Sequence, residues 1–124
     1  MKFKTLMLVK AAVCLFFGIL LLLQPIQLLN VLGVTVGAGG LLMARAYGAA
    51  LIGYLMLTWY ARDAGDSVAR RAIILDLFVY DAIGLVVMLV AAINSVFNLL
   101  GWGIVGVYLF FTLGYGYYWF AKSQ

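Results

Sequence analysis

Histidine is absent from this chain of 124 residues, cysteine and proline occur once each, and charged residues make up only 10%. Each scarcity excludes something. Without histidine the usual axial ligand of haem is missing, as are the commonest metal ligands; methionine and tyrosine remain the formal alternatives. The lone cysteine, Cys14, lies in an apolar run. It cannot close an intrachain disulfide, no CxxC exists, and it reads as a small apolar residue. No nucleophile–base pair, glycine-rich phosphate loop or cysteine motif is present. The expectation is therefore a protein that is not an enzyme, with no catalytic residues, no metal and no obligatory cofactor. Bound lipid, quinone or pigment stays open.

The shortage of charge carries the largest consequence. Soluble domains carry about a quarter charged residues, and a small soluble fold exposes too much of its chain to hide a composition that is 68% apolar. Hydrocarbon as the solvent removes that conflict. The net charge of +4 does not point to nucleic acid, because the lysines and arginines sit at segment ends and no polar surface gathers them into a patch.

What is present is four long apolar stretches, at about residues 3–23, 40–60, 71–93 and 99–121. Each has about twenty residues or more, enough at 1.5 Å per residue to cross a hydrocarbon core of about 30 Å. In lipid the backbone must satisfy its own hydrogen bonds, so an open-chain span is a helix. The fold class expected is all-α: a single membrane domain over 1–124, a polytopic four-transmembrane-helix bundle. The first stretch resembles a signal peptide in that Lys2, Lys4 and Lys10 precede its apolar core. Its apolar run is long and no A-x-A-like site follows Leu23, so it reads as a retained anchor.

The connections differ in kind. Pro25 suits the first turn of a helix, and residues 25–32 read as a short helix lying at the membrane surface. Gly33, Gly37, Gly39 and Gly40 make a flexible return. Residues 61–67 form a polar turn in which Asp66 or Ser67 caps a helix beginning near Val68. The connection 94–98 is so short that the third and fourth helices must be antiparallel neighbours. Lys2, Lys4, Lys10, Arg62, Arg70, Arg71 and Lys122 all fall on one side of a four-crossing arrangement and only Arg45 toward the other. That bias places both termini in the cytoplasm, N-in/C-in, in a bacterial inner (cytoplasmic) membrane crossed by multiple passes. Trp59, Tyr60, Tyr117, Tyr118 and Trp119 mark the inner interface and Trp102 the outer. Asn30-Val31-Leu32-Gly33 and Asn98-Leu99-Leu100-Gly101 echo each other, as two hairpins from an old duplication would; chance in an apolar chain explains the echo as well.

Arg45, Asp76 and Asp81 fall inside the expected spans. Asp81 lies deepest, and its helix neighbours Leu77, Phe78, Gly84 and Leu85 offer no partner. An ionised group near mid-membrane costs about 2.5–3.5 kcal/mol on insertion scales. Arg45 and Asp81 are therefore expected to approach each other, directly or through Tyr47, Tyr54 or Tyr108, as an intramembrane polar pair. Its ordinary role is a staple between helices; its functional role is a proton or cation site. Asp76, about 140° round the helix from Asp81, suits ion pairing at the cytoplasmic boundary with Lys10 or Arg71. Ala49-x-x-x-Gly53, Gly84 and Gly106 are expected to mark close helix packing. The aromatic run 114–120 anchors an interface, or offers Tyr115, Tyr118 and Trp119 to a lipid, pigment or quinone.

The stretch 25–33, followed by Arg45-Ala46-Tyr47-Gly48-Ala49-Ala50-Leu51-Ile52-Gly53, resembles small bacterial four-helix membrane proteins of the DoxX-like and neighbouring uncharacterised families. The resemblance covers about half the chain. It implies a four-helix bundle without an assigned reaction, and an accessory role beside respiratory oxidases. Small multidrug transporters fit less well, since they use a carboxylate in the first helix, and small fluoride channels tolerate weak charge bias. The function expected is a non-catalytic accessory or structural subunit of a larger membrane complex, respiratory or photosynthetic, whose partners are other membrane subunits, further copies of itself, and lipids. The alternative is a small oligomeric transporter or channel working through Asp81 and Arg45.

Overall fold

The computed structural model describes residues 2–121; Lys122 lies outside the described residues. Every regular element among them is an α-helix: α1 (Phe3–Leu23), α2 (Pro25–Val31), α3 (Ala38–Ala61), α4 (Val68–Ile93) and α5 (Leu99–Phe120). Four of them, α1, α3, α4 and α5, are long and apolar enough to cross a membrane. The all-α expectation and the number of long helices hold. α4 starts at Val68, three residues before the third apolar stretch, because the polar residues of its first turn are recruited by a cap rather than by hydropathy.

The chain divides into two compact units, Met1–Arg62 and Asp63–Gln124. In the first, α1 packs against α3, with α2 beside both. The buried residues of α1 are Phe3, Leu6, Met7, Lys10, Ala11, Cys14, Gly18 and Leu21, spaced by three and four as one stripe of a 3.6-residue helix. Gly18 and Gly48 let the two backbones meet. A methyl group on Gly48 would lie 3.0 Å from the Gly18 carbonyl oxygen and 3.1 Å from the Leu22 nitrogen. α2 begins with Pro25 at its first turn and ends in a Schellman arrangement: Gly33 N–H donates to the Asn30 carbonyl and Val34 N–H to the Leu29 carbonyl, with Gly33 at φ 80°.

In the second unit α4 and α5 run antiparallel, since Phe78 lies against Phe120 and Gly116, and Gly84 against Tyr108. Ser67 caps α4 by accepting from Arg70 N–H at 3.1 Å. α4 also ends in a Schellman turn, Ser95 N–H to Ala92 and Val96 N–H to Ala91. Here the left-handed residue is Ser95, at φ 59°. Asn98 caps α5 through its side chain on Leu100 N–H. The two Asn-x-x-Gly segments therefore have different jobs. One closes the end of α2, the other opens α5, and they are not structural equivalents.

Candidate functional site

α4 places Arg70, Ile74, Leu77 and Asp81 on one buried stripe. Asp81 is fully buried and sits at the midpoint of a 26-residue helix, about 20 Å from either end. Its chain neighbour Tyr80 reaches Tyr108 of α5, hydroxyl to hydroxyl at 3.4 Å, with ring centroids 6.1 Å apart. Tyr108 in turn lies against Gly84, one turn beyond Asp81: a methyl there would come within 2.7 Å of Tyr108 Cδ1. Asp81, Gly84, Tyr80 and Tyr108 thus form the polar middle of the α4–α5 hairpin.

Lys10 of α1 is the other deep charge. It is buried on the stripe with Met7 and Cys14, about 5 Å from the midpoint of its helix. The charge count alone put it at a boundary, and because α1 is apolar all round no period in the sequence marks its buried face. Arg45 belongs to the first unit and is exposed on α3. Asp76 is exposed on α4, on a different face from Asp81. Arg71 does not turn to it. The Arg71 guanidinium donates to the Tyr118 carbonyl at 3.0 Å and the Trp119 carbonyl at 2.7 Å and covers the Trp119 ring at 4.1 Å. It satisfies the last carbonyls of α5, which no residue of that helix can reach.

The other small residues divide sharply. Nothing lies within 4 Å of a methyl placed on Gly53 or Gly106, and Ala49 is exposed. The close approach in the first unit belongs to Gly18 and Gly48. Nothing in the sequence sets these two glycines apart from Ala49 and Gly53, which are as small. In the aromatic run Tyr115 is fully buried and stacks on Phe111 at 6.1 Å, and Tyr118 is buried. Tyr117 and Phe120 are the exposed rings, with Trp119 partly so.

Hydroxyls inside the long helices close on their own backbone: Thr58 donates to the Tyr54 carbonyl at 2.8 Å and Thr112 to the Tyr108 carbonyl at 2.7 Å. Arg62 donates to the Trp59 carbonyl and covers that ring at 4.1 Å. Among the described residues, no three His, Cys, Asp or Glu side chains gather as they would round a metal ion. No protein-family model, curated protein or solved structure matches this chain.

Proposed function

We propose that this chain is a non-catalytic, multi-pass subunit of a bacterial inner membrane, accessory to a larger bioenergetic complex, with both termini and the 62–67 turn in the cytoplasm. The observation that carries the membrane half is the distribution of large apolar side chains. Phe16, Leu42, Met43, Ile83, Val86, Leu113 and many others stand exposed along helices of 21 to 26 residues, where water would penalise them at about 25 cal/mol per Å². Lipid tails or partner helices remove that penalty. The orientation is supported by two Arg–Trp pairs, Arg62–Trp59 and Arg71–Trp119. Each lies at the helix ends assigned to the inner interface, where cationic and aromatic side chains anchor.

The subunit role is favoured by how the polar groups are spent. Arg71, Ser67, Asn98, Thr58 and Thr112 all cap or back-bond the chain's own helices, which builds a scaffold rather than a reaction centre. The DoxX-like resemblance points the same way. Purification from native membranes in mild detergent, followed by mass spectrometry, is the test. A subunit brings defined membrane partners in fixed stoichiometry, and recovery only as a homo-oligomer counts against it.

A second reading rests on Asp81. A buried carboxylate at the middle of a spanning helix is a transport-site signature by default, and a small transporter or channel working as an oligomer would use it. Protein reconstituted alone in liposomes decides between them: flux that disappears in Asp81→Asn, with assembly intact, supports transport and ends the accessory reading.

A further inference from the structure

We draw no further inference here: the strongest candidate, the side-chain cluster of Asp81, Tyr80 and Tyr108 at the middle of the α4–α5 hairpin, belongs to the site already described, where it carries the transport reading.

Discussion

Ser95 holds a backbone conformation that suits glycine. At φ 59° its Cβ crowds the carbonyl that follows, a cost of about 1–2 kcal/mol for an L-residue. It persists because Ser95 and Val96 N–H close the last carbonyls of α4. Gly33, in the matching position after α2, avoids that cost. Ser95→Gly should accordingly stabilise the protein by about 1 kcal/mol, read as a higher thermal midpoint in detergent; an unchanged or lower midpoint would remove the strain argument. Glycines at two depths of the second unit should behave oppositely. Gly84→Ala drives a methyl into the Tyr108 ring and should cost about 1–3 kcal/mol, as overpacking does. Gly106→Ala meets nothing within 4 Å and should be neutral or slightly stabilising, since alanine is the better helix former. Equal effects from the two in one chemical-denaturation series would mean that Tyr108 does not rest on Gly84.

At the scale of elements, the helices were legible because the signals for their length and ends are local. Twenty-residue apolar runs, Pro25 at a first turn and Ser67 before Val68 each act within a few residues, and α1, α2 and the start of α5 fall within a residue of the positions read from sequence. Which face of each helix turns inward was not legible. The four long helices are apolar all round, so hydrophobicity carries little angular information, and small residues that pack look like small residues that do not. Gly18 and Gly48 make the contact while Ala49 and Gly53 leave a face open, although all four are equally small. Lys10 misled for a related reason: as a cation near a terminus it resembled a boundary marker, yet α1 buries it. Arg71 was read for its charge and matters for its donors. Its two bonds to the Tyr118 and Trp119 carbonyls tie the start of α4 to the end of α5. Arg71→Gln should speed hydrogen exchange in the last turn of α5 and leave α1 and α3 unaffected. Arg71→Lys should restore little, because one ammonium cannot reproduce a planar fork spanning two carbonyls. Full rescue by lysine would show that charge near a helix C-terminus, rather than geometry, is what holds the pair.

For the whole molecule the decisive quantity in the proposed membrane reading is which ends face the cytoplasm, and charge predicts it. The 62–67 turn is flanked by Arg62, Arg70 and Arg71, whereas the 94–98 turn carries no charge at all. Translocating the first turn would move three cations through hydrocarbon against the retention that basic residues enforce; translocating the second moves none. Cysteine scanning tests this directly, because Cys14 is buried and its replacement by alanine leaves a background without thiols. A cysteine introduced at Val96, which is exposed, should react with a membrane-impermeant maleimide in intact spheroplasts. One introduced at Ala64 in the other turn should react only after permeabilisation or in inverted vesicles. The opposite pattern would invert the chain and end the N-in/C-in reading. Labelling of both turns from one side would be more damaging, because α4 would no longer cross the bilayer and Asp81 would need an account in water.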